Sequence, residues 1–496
     1  MSTPVTIKIN FRGGIISPGD LHQVLSITEG TGIEQVCFGL RQQLLISGTK
    51  KQGAALEDQL RRAGILYEID TDHFPNIISS YPAEDIFIMH TWLSEGVYKD
   101  IFDEMDHIPR LKVNICDSNQ SFTPSLTGNI NWVATAGSPH FWHLFVRFPK
   151  TNIIYEWDEL LYTNDIPRFS KELEAQILNN KHLFYDQPDA SGEVLFSRIK
   201  KEQFITKKAV HPALLPQFNL PYYEGLHRHN NKYWLGVYRR DELFSIAFLK
   251  DLCQICLQTK IGQLCSTPWK SIIVKGIEER DKHLWTDLLN MHALNMRHAA
   301  NELNFQVEDG NREATALKQY LVKKLNDQDT RTFGLCIGIK TRNKSEVFSS
   351  ILVKRKPVIA LWGKALFYLY DILCAQAYNP NERTGFVFSR NKPKFLLGRA
   401  LRNSVFDFYK TSRNNTVLPH TIDVPKDIAI VQKEEWVHQC KNCLTVYDRH
   451  TGDPGNRIAA GTAFEALPET YACPLCESGK PDFIEIKKAS LGLQSV

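Results

Sequence analysis

Apolar and polar residues alternate along the first sixty positions with two different periods. Val5, Ile7, Ile9 and Phe11 stand two apart with polar residues between them, which predicts a strand over 5–11. Leu21, Val24 and Ile27 recur at helical spacing, so 21–28 reads as a helix. The run 35–46 is strand-like again and 56–63 helical. Alternation of this kind belongs to a mixed α/β or α+β chain, and α+β is the class adopted. The most hydrophobic window, 358–378, contains Lys364 and Asp371. Those charges predict a buried or amphipathic helix, not a membrane span.

The pattern also repeats. Displaced by 228 residues, Leu21, Val24 and Ile27 fall on Leu249, Leu252 and Ile255, while Ile33, Val36 and Cys37 fall on Ile261, Leu264 and Cys265. Leu44, Leu45, Ile46 and Gly48 fall on Ile272, Ile273, Val274 and Gly276. The order helix, strand, strand-end glycine is kept without a gap, as expected of a duplicated unit.

Composition narrows the function classes. A chain of 496 residues exceeds one domain, and three are expected. With 43% hydrophobic and 23% charged residues it is ordinary globular material. A net charge of +4 is too weak to argue for nucleic acid or a membrane surface as partner. No basic-then-apolar leader opens the sequence, and eleven cysteines in that setting imply a reducing compartment with free thiols and metal ligands. A cytoplasmic location is therefore expected. No phosphate-binding glycine loop and no Gly-x-Ser-x-Gly turn is present, which leaves little for nucleotide or hydrolase chemistry.

The last sixty residues hold two Cys-x-x-Cys pairs, Cys440/Cys443 and Cys473/Cys476, with 29 residues between the inner two. Two thiolates three apart on a tight turn face one metal, and two such turns close a tetrahedron, which suits zinc or iron. Spacing alone leaves that choice open. The intervening residues, Tyr447-Asp448, Gly452-Asp453-Pro454, Gly461-Thr462-Ala463-Phe464 and Leu467-Pro468, together with Pro474, Gly479-Lys480 and Phe483, closely resemble rubredoxin over 434–487. The resemblance implies one iron held by Cys440, Cys443, Cys473 and Cys476 and one-electron transfer; a zinc-stabilised interaction module is the alternative. Tyr447, Phe464, Tyr471 and Phe483 are expected as a small aromatic core. Two positions depart from the family. Glycine usually follows the second cysteine of each knuckle, whereas Leu444 and Glu477 stand here. Side chains resist the backbone conformation glycine permits, so these two are expected to turn the knuckle amides aside and lower the reduction potential.

A second resemblance covers about 1–360. Ile7-Lys8-Ile9-Asn10-Phe11-Arg12-Gly13-Gly14 and Phe38-Gly39-Leu40-Arg41-Gln42-Gln43-Leu44-Leu45-Ile46 are similar to the ferredoxin-like half-domain of nitrite and sulfite reductases, which contain two such halves. The second copy is expected from Lys232 to Gly276, and larger α/β portions are expected to enter at strands 111–116 and 332–337. The resulting division is 1–165 for the first half, 166–220 for a connecting segment, 221–425 for the second half with a helical extension, and 433–490 for the iron domain. The family's catalytic centre joins sirohaem to a four-iron cluster held by Cys-x5-Cys and Cys-x3-Cys pairs. Neither pair exists here: between Lys270 and Arg355 the only cysteine is Cys336, and one thiolate cannot hold such a cluster. Arg41 and Gln42 stand at the family's Arg-Gln strand motif facing the macrocycle, with Lys270 as their counterpart, and Arg297, His298, Arg331, Lys340 and Arg342 crowd the following segments. A solvated basic face is the expected reading of these cations, and retained tetrapyrrole binding the alternative. Cys253-x-x-Cys256 lies on one predicted helical face and reads as core packing. His227, His229, His292 and His298 read as surface or capping residues.

The whole chain therefore reads as an electron-transfer protein: a one-iron domain on a duplicated scaffold that has lost the cluster ligands. Its expected partners are an electron-donating reductase and an accepting enzyme of nitrite or sulfite metabolism. A sirohaem reductase fed by its own tail is the rival.

Overall fold

A computed structural model describes residues 4–88, 91–342, 347–361, 364–382, 384–415, 436–456 and 458–488. The chain divides into two units, Met1–Asn415 and Thr416–Val496. The expected boundaries at 425 and 433 lie outside the described residues.

The repeat is visible as two five-stranded sheets. In the first, strand Val5–Ile9 pairs antiparallel with Leu44–Gly48, which pairs with Gln35–Phe38. In the second, Lys232–Val237 pairs with Ile272–Glu278, which pairs with Leu264–Ser266. Helices Pro18–Glu29 and Ile246–Gln258 occupy equivalent places, each burying an apolar stripe (Leu21, Val24 and Leu25; Leu249, Leu252 and Cys253) in one shared core. Ser17 accepts the Asp20 amide to cap the first of them. The turns also correspond. Gly39 and Gln43 close one hairpin, with the Gln42 amide donating to the Gly39 carbonyl at 2.9 Å; Thr267 and Ser271 close the other, with the Lys270 amide donating to Thr267 at 3.1 Å. Gln42 (φ 61) and Lys270 (φ 56) both take the left-handed position. The halves exchange a strand each: Ile15–Ile16 pairs with Leu264–Ser266 of the second sheet, and Phe244–Ser245 with Gln35–Phe38 of the first.

Each half also carries a larger sheet. Ile78–Ser79, Val113–Asp117 and Ile130–Ala134 run parallel, and Phe141–Arg147 turns antiparallel beside them. Phe305–Val307, Ile337–Lys340 and Ile351–Leu361 run parallel in the second half, followed by antiparallel Lys364–Ala375 and Gly385–Lys392.

Two expectations need correction. The entry strand foreseen at 332–337 starts only at Ile337, because Gly334 turns the chain with φ 76. The window 358–378 is no helix but the meeting of two long antiparallel strands. On the second strand Tyr370, Ile372 and Cys374 stand two apart and are buried on one face, and Asp371 is paired with Lys356. Among the described residues no helix is long and apolar enough to cross a membrane. Within 166–220, helix Ile166–Asn179 buries Ile166, Phe169, Leu173 and Ile177 beneath the first large sheet, and Thr206–Lys208 adds a strand to it. Four such side chains at roughly 1.5–3 kcal/mol each make this segment part of the core.

The tail unit is small. Val446–Tyr447 and Phe483–Lys487 flank strand Trp436–Cys440, and Tyr447, Leu467, Tyr471 and Phe483 fill its centre with Phe464 packed against them. Gly452 (φ 65) makes the Gly-Asp-Pro turn, where an added Cβ would meet the Ile458 carbonyl at 2.6 Å.

Candidate metal centre

Each knuckle opens at a buried cysteine, Cys440 at the end of its strand and Cys473 just after the isolated Ala472–Gly479 bridge, and returns through the same backbone bonds. The Leu444 amide donates to the Cys440 carbonyl and the Glu477 amide to the Cys473 carbonyl, both at 2.9 Å. The Cys440 amide then donates to Thr445 and the Cys473 amide to Ser478, both at 2.8 Å. The two turns are thus copies of one another, and both require a left-handed residue after the second cysteine. Leu444 (φ 62) and Glu477 (φ 60) supply it. This corrects the expectation for these two residues: they accept the glycine conformation and leave the amides in place, at a backbone cost of about 1–2 kcal/mol each.

The turns bring four sulfurs together. Cys443 Sγ lies 3.4 Å from Cys473 Sγ, and Cys440 Sγ 3.6 Å from Cys476 Sγ. All four sit within 4.8 Å of one another. A tetrahedral metal–sulfur bond of about 2.3 Å needs sulfurs roughly 3.8 Å apart, so the set fits a single ion. Burial opposes ionisation of Cys473, but the Leu475 and Cys476 amides outweigh it and bring the thiol down to about 6. Cys440 is lowered too: against burial, the Cys443 and Asn442 amides favour its thiolate. The Ser478 hydroxyl and amide pull the same way on Cys476, yet its sulfur neighbour Cys443, burial and Cys440 together raise it. Exposure is graded across the site. Cys440 and Cys473 are buried, Cys443 is half-buried and Cys476 is exposed, as are the side chains of Leu444 and Leu475. A metal held by these four residues would come nearest to solvent at Cys476. Farther in, Asp453 accepts the Tyr471 hydroxyl at 2.9 Å and locks the turn to the aromatic core.

The scaffold candidates behave differently. The Arg41 guanidinium donates to the Asn76 carbonyl at 2.7 and 3.0 Å and to the Val113 carbonyl at 3.1 Å. The Gln42 amide exchanges bonds with Ser79, at 3.0 Å outward and 2.9 Å inward. Lys270 is buried against Glu242 at 2.6 Å and Asp309 at 3.3 Å. These groups fasten the small sheets to the larger ones, and the cavity beside Arg41 holds only about 10 Å³. They do not fit a macrocycle. Cys336 is buried against Ser350, whose amide donates to its sulfur at 3.2 Å. Cys253 and Cys256 are buried on their helix as expected.

Two features escaped the sequence. The His298 side chain is covered, not superficial: its Nδ1 meets Glu224 Oε1 at 2.6 Å, and His292 Nε2 meets Asp251 at 2.7 Å. Both carboxylates are more than forty residues away in sequence, beyond any local spacing rule. The other is a cleft of about 670 Å³ rimmed by Arg110, Lys112, Arg147, Lys150, Lys181 and Lys340, with Asp72 and Asp186 as its acids. Burial, with Lys354 nearby, holds Lys340 below its ordinary range. Of its basic residues only Lys340 stood among the candidates.

Comparison with known proteins agrees with both readings. The structure is similar to that of Mycobacterium tuberculosis NirA protein, with a TM-score of 0.60 and 14% identity, covering 82% of this chain and 81% of that one. At that identity the likeness is one of fold, and it extends far beyond the tail. Rubredoxin-2 of Chlorobaculum tepidum is 45% identical over 53 residues, 11% of this chain and 98% of its own length. Rubredoxin-2 of Desulfovibrio desulfuricans is 45% identical over 51 residues, 10% of this chain and 82% of its own. The rubredoxin family profile matches residues 437–483, which span all four cysteines. Through this C-terminal domain, the chain belongs to the rubredoxin family.

Proposed function

We propose that the chain is an electron carrier whose tail passes one electron at a time from a donor reductase to an acceptor enzyme of nitrite or sulfite metabolism. The NirA-like scaffold, without cluster cysteines, docks that acceptor. Four convergent sulfurs with one exposed, Cys476, carry the reading. Iron held by these residues supplies a one-electron couple; the chain's own part is to hold four thiolates, exclude water from two of them and present the third and fourth to a partner. Metal analysis with a visible spectrum is the test. Red protein with one iron per chain, reducible by a flavin-dependent reductase and reoxidised by a nitrite or sulfite reductase, supports it. Stoichiometric zinc and no visible band from cells given excess iron would favour the interaction module.

The basic cleft favours a second reading. Six cations around some 670 Å³ suit a ligand bearing several carboxylates, and a tetrapyrrole such as sirohaem is of that kind. The site would lie there, away from Arg41, Gln42 and Lys270. A Soret band in protein made with sirohaem supply, lost in Arg110→Ala with Lys181→Ala, would establish it.

A further inference from the structure

The two knuckles share a feature that their backbone does not require. Two residues beyond the second cysteine stands a hydroxyl: Thr445 in the first knuckle and Ser478 in the second. Thr445 Oγ1 lies 3.0 Å from Cys443 Sγ, and Ser478 Oγ lies 3.0 Å from Cys476 Sγ. Once the four thiols have given up their protons to a metal, sulfur has none to donate. Each hydroxyl must then be the donor. A third residue fixes the second bond: Asn442 Nδ2, reaching across from the first knuckle, donates to Ser478 Oγ at 2.8 Å. That occupies an oxygen lone pair and leaves the serine proton for Cys476. Both bonds fall on the two more accessible sulfurs, where water would otherwise compete, and both hydroxyl residues are half-buried.

We infer that Thr445 and Ser478 set the reduction potential by hydrogen-bonding their hydroxyls to Cys443 and Cys476, with Asn442 positioning the serine. The inference rests on the iron-bound tail. One-electron reduction changes the centre from one net negative charge to two, and no bond forms or breaks; the electron comes from the donor reductase, or from dithionite in the assay. An O–H dipole aimed at sulfur is worth more in the doubly charged state, so each bond favours reduction. The pair also counters the exposed carboxylate of Glu477, which opposes electron uptake.

The experiment is a spectroelectrochemical titration of the full iron-loaded chain. Ser478→Ala and Thr445→Val are each expected to weaken reduction about tenfold, which for one electron is a fall of about 59 mV. Ser478→Thr and Thr445→Ser keep the hydroxyl and should stay near the starting potential. The sulfur-to-iron absorption bands should move in the first pair and stay in the second. Red variants without the hydroxyl but with an unchanged or higher midpoint would overturn the inference and leave the iron site intact. Colourless protein from the unaltered chain would instead overturn the iron site itself. If Ser478→Ala alone fails to hold iron, Thr445→Val tests the same bond in the other knuckle.

Discussion

Leu444 and Glu477 occupy backbone positions that glycine would take freely, and replacing both by glycine should strengthen the tail. An L-residue in the left-handed region costs about 1–2 kcal/mol. Glycine returns roughly 0.5–1 kcal/mol of that through its freer unfolded chain. The net gain is about 0.5–1 kcal/mol at each site, or about 1–2 kcal/mol for the pair, since the two turns are separate copies of one motif. A domain this small has little core, so its folding is coupled to its metal. The gain should then appear as metal affinity, roughly fivefold to thirtyfold tighter. Titrating the metal-free full chain with Co²⁺ against a competing chelator, read from the visible ligand-field bands, measures it. The single variants should each give about half the free energy. Affinity that is unchanged or weaker in the double variant would refute the argument and show that the left-handed turns carry no strain. The potential provides a separate check. With the amides already seated, Leu444→Gly should leave the midpoint nearly unmoved, whereas Glu477→Gly, by removing a charge beside Cys476, should raise it.

Other outcomes follow from the same geometry. Cys473→Ser should bleach the iron-loaded chain, and the unaltered chain should contain one iron and no acid-labile sulfide; several irons with matching sulfide would show that scaffold cysteines hold a cluster. Glu242→Gln should destabilise the Met1–Asn415 unit by about 3–5 kcal/mol in thermal unfolding, because buried Lys318 loses its 3.0 Å partner and Lys270 its closer one. Burial raises the Glu242 carboxyl, but Lys270 and Lys318 more than offset this and lower it to about 2. Its stabilisation is therefore complete above its ordinary value near 4.5 and lost as pH falls through about 2, a step that Glu242→Gln should remove from the acid unfolding curve.

The metal site was legible because its ligands come in two local pairs and the residues between them are turn residues with fixed tasks. Gly452 and Asp453 can be read without coordinates for that reason. The repeat was legible through its apolar spacing, and even the equivalence of Gln42 and Lys270 survives in their shared backbone conformation. What those two side chains touch was not legible. Arg41, Gln42 and Lys270 spend their polar groups on carbonyls and carboxylates from remote segments, and a family motif shows where a side chain starts, not where it ends. Local pattern failed at 358–378 for a related reason. A dense apolar run serves a helix and a buried strand pair equally well, and only the partner strand Ile351–Leu361 decides. His298 was misjudged because Glu224 lies beyond any local window.

The exchanged strands Ile15–Ile16 and Phe244–Ser245 carry a consequence for how the scaffold tolerates change. Each half completes its neighbour's sheet, so neither can be cut away as an autonomous piece: a fragment ending near 220 would expose the Gln35–Phe38 edge and leave Ile15–Ile16 without a place to pair. The two halves are reciprocal lids over backbone that would otherwise be open to a foreign chain. That duty rests on main-chain pairing and an apolar core, not on any cluster cysteine. Removing either copy would therefore undo the other, whatever the scaffold binds.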